Sequence, residues 1–388
     1  MLVVPPPGRR TVRPDHRGRA YVRITAAVVE ELHGPFVVRE VDLDEPGPGD
    51  VLVKVAATGF CHTDGIARDG DLPFPLPGVL GHEGSGTVVA VGDGVTGVSE
   101  GQDVVLGWPS CGACRNCQAG EPRYCLRMGE LVAGGRRLDG SSALRGTDGS
   151  PLASHFFGQS SFGTYAMATA ASLVPVPAGL PVELMGPVAC GLATGAGAVF
   201  NTLRPEPGSS IVVYGAGTVG LAAVMAARNS AATTIIAVDR HAARLRLAEG
   251  LGATHTIDAT SADPVQAVND ICGGPADASL DCTGIVSVIR QAIDSVGMLG
   301  TALLIGGAPA GAEFSADHLT TLWGKTIRGT LGGSGHGQQL IAALMDLHAQ
   351  GRFPFDQLVQ FFPLDRIEDA VEASYSGAVV KPILTMPH

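Results

Sequence analysis

The chain is short of charge. Charged residues fill 16% of its 388 positions, against about 25% in an ordinary soluble domain. What charge it has runs acidic, to a net −11, which disfavours a nucleic-acid backbone or an anionic membrane surface as partner. Long apolar runs are missing too, for none approaches the roughly 18 residues of a membrane-spanning helix. No apolar segment follows the Arg9-Arg10 pair, so an export signal is not expected. Without a secretory signal, the eight cysteines do not read as a disulfide scaffold. Reduced thiols in a cytoplasm, some of them bound to metal, fit better. Neither an internal repeat nor a low-complexity linker divides the chain. Residues 1–20, rich in Pro and Arg, read as a disordered tail.

What is plentiful is glycine. The 54 glycines are about twice the usual ~7% share, which calls for many tight turns. Length alone allows two domains with sizeable cores. Up to residue 190 the sequence is a succession of short strand-like runs, such as YVRITAAVV, DVLVKVAAT and GTVVAVG, broken by turns such as DEPGPGD. That density of short strands predicts a partly open barrel. Near residue 190 the rhythm changes. SIVVYG (210–215), TIIAVD (234–239), THTID (254–258), DASLD (277–281), TALLIG (301–306) and KTIRGT (325–330) are six mostly apolar strands with helical stretches between most of them. Such alternation predicts a parallel sheet covered on both faces, an α/β arrangement. After residue 333 two helical and two strand-like segments leave that rhythm and are expected to return to the first domain.

The first of the six strands runs into GAGTVG (215–220) and then a helix, and Asp239 ends the next strand. A lone G-x-G-x-x-G is weak in so glycine-rich a chain, but a strand before it, a helix after it and the acid beyond make it specific. Gly215, Gly217 and Gly220 allow the tight turn and close backbone approach that a pyrophosphate needs, at a helix N-terminus that favours its charge. Asp239 can accept from both adenosine ribose hydroxyls and would repel a 2′-phosphate, so NAD is expected. Arg240 beside it could soften that preference or simply be solvated.

CGACRNCQAGEPRYC (111–125) holds Cys111, Cys114, Cys117 and Cys125. Four thiolates fill a zinc tetrahedron and leave no position for a substrate, so this metal reads as structural. An iron–sulfur ferredoxin pattern would need a three-residue final gap followed by proline; here the gap is seven and Leu126 follows. Chemistry must then sit elsewhere. GFCHTD (59–64), GHEG (81–84) and PVACG (187–191) supply Cys61, His82 and Cys190. Singly, each reads as a buried thiol or a loop histidine. Together they are a catalytic zinc set with an open fourth position.

On the GHE motif, the four-cysteine lobe and GAGTVG, in that order and spacing, the chain resembles the zinc-containing alcohol dehydrogenases of the medium-chain dehydrogenase/reductase superfamily, from residue 21 to the end. HFFGQSSFGTYA (155–166), ACGLATGAGAVFN (189–201) and GRFPFDQLVQFF (351–362) look like its aryl-alcohol branch. The resemblance implies a GroES-like β-rich catalytic domain over 21–190 and 333–388, with its zinc lobe at 108–128, and a Rossmann domain over 191–332. It implies two Zn²⁺ per chain: a catalytic ion on Cys61, His82 and Cys190, and a structural ion on the four lobe cysteines. Glu83 and Asp64 would stand behind the ligands, Asp64 orienting the imidazole. Thr63 would hydrogen-bond the substrate oxygen, and His62 would lie near the cofactor pyrophosphate, as would Lys381. Thr218, Val219 and Thr283 would join the cofactor site. Cys272 and Cys282 read as packing residues, and Trp108 as pocket wall or core.

The implied reaction is reversible hydride transfer between NAD and a primary alcohol/aldehyde pair, aryl or allylic, in a cytoplasmic homo-oligomer, dimer or tetramer, with no nucleic-acid or membrane partner. A glutathione-dependent formaldehyde dehydrogenase and a non-catalytic NAD-sensing module remain alternatives. One position departs from the family. Its proton-relay histidine, five residues after the first zinc cysteine, is here Ile66.

Overall fold

The computed structural model describes residues 12–14 and 20–388, and their strands form three sheets. One is the six-stranded parallel sheet expected from the strand–helix alternation. Across it lie His255–Asp258, Thr234–Asp239, Ser210–Tyr214, Ala276–Asp281, Val296–Leu304 and Thr326–Gly329. In chain order this is 3-2-1-4-5-6, which opens a crevice between Ser210–Tyr214 and Ala276–Asp281, where the winding reverses. Ile211, Val212 and Val213 are buried, as are Ile235, Ile236 and Ala237, because helices cover both faces. Helix Thr218–Arg228 starts at the crevice and buries every residue from Gly220 to Ala227.

The other two sheets share one apolar core. In the smaller, Ala20–Val29 pairs with Phe36–Asp44, Gly78–Val79 and Val12–Pro14, and Leu144–Gly146 joins the far side. The larger runs Leu173–Pro175, Asp103–Leu106, Gly84–Val91, Asp50–Gly59, Lys381–Thr385, Val359–Pro363, with Tyr165–Thr169 also on Asp50–Gly59. The C-terminal strand is antiparallel to Asp50–Gly59, with Ile383 opposite Gly59 and Leu384 opposite Thr58. Thr58 is also opposite Gly84. Three distant segments, those bearing Cys61, Glu83 and Lys381, therefore end side by side.

The expected tail over 1–20 lies mostly outside the described residues. Within it, Val12–Pro14 is a strand rather than tail, since Val12, Arg13 and Pro14 pair with Val22, Tyr21 and Ala20 at the sheet edge. Among the described residues no single helix is long and apolar enough to cross a membrane. One apolar pair, Val182–Ala189 and Gly191–Leu203, is bent by 53° and packs in the core. The bend falls at Cys190, whose φ −122° and ψ −99° are non-helical.

Candidate metal centres and cofactor cleft

The four lobe cysteines bring their sulfurs within 4.8 Å of one another. Cys114 and Cys117 sulfurs lie 3.5 Å apart, Cys111 and Cys117 sulfurs 4.0 Å. A zinc tetrahedron with about 2.3 Å bonds to sulfur has edges of about 3.8 Å, so the spacing fits. Backbone amides already point at these sulfurs: Cys111 N at Cys125, Cys114 N at Cys111 and Leu126 N at Cys114. The Leu126 amide brings the Cys114 thiol down to about 6, while desolvation lifts Cys117 to about 12. All eight cysteines are free thiols.

The second cluster gathers Cys61, His82, Glu83 and Cys190 within the same 4.8 Å. Helix His62–Arg68 begins just after Cys61, and Asp64 in its first turn accepts from the Cys61 amide at 3.0 Å. Asp64 also accepts from the Gly81 amide at 3.1 Å and from His82 Nδ1 at 2.9 Å. One buried carboxylate thus ties both motifs together and turns His82 Nε2 to 3.2 Å from Cys190 Sγ. Burial works against a charged His82 ring, but Asp64 and Cys61 together outweigh it and raise the pKa. The Cys190 thiol donating to Cys61 holds Cys61 well below the usual thiol range, and the same contact raises Cys190. Two sulfurs and one imidazole of this kind suit zinc.

Glu83 is the fourth group, but it is engaged elsewhere. Lys381 Nζ donates to its two oxygens at 2.9 and 2.8 Å, and to the Phe60 carbonyl at 3.0 Å. Burial raises the Glu83 pKa against the pull of Lys381. This corrects the expectation for Lys381. The residue is 3% exposed and its ammonium donates three bonds behind the cluster, so it is not free to meet a pyrophosphate. Its neighbour Val380 does touch the nucleotide loop, accepting from Thr218 Oγ1 at 3.0 Å.

In the crevice Gly215 has φ +92°, a left-handed conformation. A Cβ there would lie 2.7 Å from Thr283, and one at Gly220 would lie 1.8 Å from the Gly215 carbonyl. A Cβ at Gly217 would meet nothing within 4 Å. The loop is closed underneath and open above, a cradle suited to a pyrophosphate. Asp239 accepts from Ala216 N at 2.7 Å and, on its other oxygen, from His241 N and Nδ1 at 2.9 Å each. Burial would raise this carboxyl, but the amide bonds win and hold it below its usual range. Arg240 is exposed. Helix Gly191–Gly197, which follows Cys190, packs so tightly on Thr218 and Val219 that a Cβ at Gly195 would lie 1.9 Å from the Val219 carbonyl. The metal cluster and the nucleotide loop are thereby coupled.

Thr63 Oγ1 lies 3.6 Å from Cys61 Sγ. His62 is exposed, its ring edge-on to Tyr375 at 5.6 Å. Several neighbours were missed by sequence reasoning. Phe157 stacks on His82 at 4.6 Å and meets Trp108 edge-on at 4.8 Å, forming an apolar aromatic wall beside the cluster. Its φ of +48° is invisible in a sequence. Gln159 is buried and braces the GHE loop, donating to the His82 and Leu106 carbonyls and accepting from Gly84 N. A lone glutamine inside an aromatic-rich segment was the available signal. Arg123, 4% exposed, lies over the Trp108 ring at 4.8 Å.

Two family models match the chain: an alcohol dehydrogenase GroES-like domain over residues 47–178, and a zinc-binding dehydrogenase over residues 218–350. The geraniol dehydrogenase of Castellaniella defragrans is 42% identical over 367 residues, covering 94% of this chain and 98% of that one. A crystal structure of an alcohol dehydrogenase zinc-binding domain protein from Burkholderia ambifaria superposes with a TM-score of 0.93 at 47% identity, over 95% of this chain and 100% of that one. Benzyl alcohol dehydrogenase from Acinetobacter calcoaceticus gives 0.91 at 42%, over 94% and 99%.

Proposed function

The chain belongs to the zinc-dependent alcohol dehydrogenases of the medium-chain dehydrogenase/reductase superfamily, and on that premise we propose that it interconverts primary benzylic or allylic alcohols and their aldehydes with NAD. The reading is carried by two buried aromatic rings beside the cluster, Phe157 stacked on His82 and Trp108 edge-on to Phe157, an apolar wall that suits a ring or alkene next to the carbinol carbon. The activities named for the geraniol and benzyl alcohol relatives agree with it.

Cys61, His82 and Cys190 would hold the catalytic zinc, and Cys111, Cys114, Cys117 and Cys125 the structural one. When bound, zinc would supply Lewis acidity and the nicotinamide a hydride acceptor. The chain's own residues do the rest. Asp64 fixes the His82 tautomer by accepting from Nδ1. Lys381 keeps Glu83 occupied, so an alcohol oxygen meets no competing carboxylate. Thr63, beside Cys61, takes the alcohol proton. Phe157 and Trp108 exclude water around the reacting carbon. Gly215, Gly217 and Gly220 would receive the pyrophosphate with Thr218, Val219 and Thr283 alongside, and Asp239 would accept from the adenosine ribose. With Ile66 at the relay position, a proton held at Thr63 would pass on to water or to the exposed His62.

The protein works as a cytoplasmic homo-oligomer in this reading. Free thiols throughout support the compartment. Met298, Leu299, Leu322 and Trp323, exposed around the outer strand of the parallel sheet, support pairing with a second copy.

The test is NADH formation by purified protein with benzyl alcohol, geraniol and ethanol. The reading expects kcat/KM for the first two to exceed that for ethanol; a preference for ethanol overturns the substrate assignment.

A further inference from the structure

Arg123 is a buried cation without a counterion. It sits at the exit of the zinc lobe, in the turn Pro122–Tyr124, with 4% exposure. Among the described residues it forms no ion pair and no hydrogen bond, and its buried Nε has no partner. Its guanidinium lies over Trp108, whose own buried Nε1 is also without a partner. Two orphaned donors therefore lie side by side, with no acceptor between them.

That arrangement is unfavourable as packing alone. A cation–π contact recovers only part of what a guanidinium loses on leaving water, and an orphaned donor adds to the deficit. Yet the surroundings leave room for this side chain. A Cβ at Gly337 would lie 2.2 Å from Arg123 Nη2, and one at Gly332 would lie 3.1 Å from its side chain and from Trp108. Nor does the cluster supply a countercharge once loaded, because two thiolates and a zinc dication sum to zero.

The position says what would. Contacts run from His82 to Phe157, from Phe157 to Trp108, and from Trp108 to Arg123. A ring laid along that wall with its carbinol at the cluster would direct its far end toward the guanidinium. A planar fork of N–H donors suits a carboxylate better than any neutral group. We propose that Arg123 and Trp108 form an anion-recognition subsite at the far end of the alcohol pocket, and that the preferred substrates are aryl alcohols carrying a carboxylate opposite the carbinol. The inference rests on the reading of this pocket as an alcohol site.

Three substrates separate the possibilities: 4-(hydroxymethyl)benzoate, its uncharged amide, and benzyl alcohol, each with NAD and the zinc-loaded enzyme. The acid should exceed the amide in kcat/KM by about ten-fold or more, mainly through KM, as expected for a hydrogen bond to a charged group. Arg123→Gln should bring that ratio close to one, and Arg123→Lys should keep part of it. Equal values for acid and amide in the unmodified enzyme overturn the proposal, and so does a ratio that survives Arg123→Gln. A binding readout is independent of turnover. The chain has two tryptophans, and Trp323 is exposed, so Trp323→Phe leaves Trp108 as the sole reporter. Terephthalate should quench it, with a Kd about ten-fold weaker in Trp323→Phe/Arg123→Gln; an unchanged Kd counts against the subsite. Should benzyl alcohol not be oxidised at all, the alcohol reading fails, while terephthalate binding still decides the role of Arg123.

Discussion

Lys381 Nζ bridges both carboxylate oxygens of Glu83, at 2.9 and 2.8 Å, across 298 residues of sequence and with both side chains almost wholly buried. The pair sets apart the one carboxylate that lies among the cluster's thiols and imidazole. Removing one partner leaves a buried charge uncompensated, which costs roughly 3–5 kcal/mol, whereas removing both together costs far less. Lys381→Met should therefore lower stability in chemical denaturation by about that amount, and Lys381→Met/Glu83→Gln should recover most of it. Strictly additive losses would show that the two side chains do not act as a pair.

Thr63 Oγ1 lies 3.6 Å from Cys61 Sγ, beside the cluster. A positioned proton-transfer group is worth roughly 10²–10⁴ in rate. Thr63→Ala should lose activity on that scale while Thr63→Ser keeps most of it. Near-normal turnover by the alanine variant would mean that the alcohol proton leaves by another path.

Asp239 already accepts three hydrogen bonds, from Ala216 N and from His241 N and Nδ1, and is held ionised. Its charge facing a 2′-phosphate would be repulsive. Replacement by Ser should shrink the ratio of NAD to NADP kcat/KM by ten-fold or more, about the energy of one charged hydrogen bond. Equal use of both cofactors by the unmodified enzyme would remove the argument.

How much of this was legible in the sequence depends on distance along the chain. The parallel sheet, the glycine loop and both sets of cysteines show themselves because each is a local pattern: apolar runs, a six-residue turn, a fixed spacing. Lys381 was not legible in the same way. Its partner is set by Lys381–Thr385 pairing with Asp50–Gly59, a register that no local signal encodes. Phe157 depends on a left-handed backbone conformation, and Arg123 on the absence of partners, which only a folded chain reveals. Val12–Pro14 took its place at a sheet edge despite a composition that suggested a tail.

His155 gives a pH dependence. Burial pushes its imidazole down to about 3, and Ser154 Oγ lies 2.6 Å from Nδ1. In the unfolded chain the ring titrates near about 6.5. Between those values the unfolded chain binds a proton that the folded one refuses, so destabilisation begins below pH ~6.5 and is complete only near 3. Part of the ring remains accessible, and water moderates the effect to about 1–2 kcal/mol by pH 5. Unfolding free energies at pH 7.5 and pH 5 should fall less for His155→Gln than for the parent protein; identical slopes would contradict this.

The central claim is that two zinc ions serve one chain in separate roles, and elemental analysis of active protein tests it most directly. The account predicts two zinc per chain. Cys114→Ser should retain about one and lose stability, because a structural zinc contributes folding free energy. His82→Ala should abolish turnover while the protein stays folded, with zinc retained in the lobe. One zinc or none in fully active protein would contradict the account.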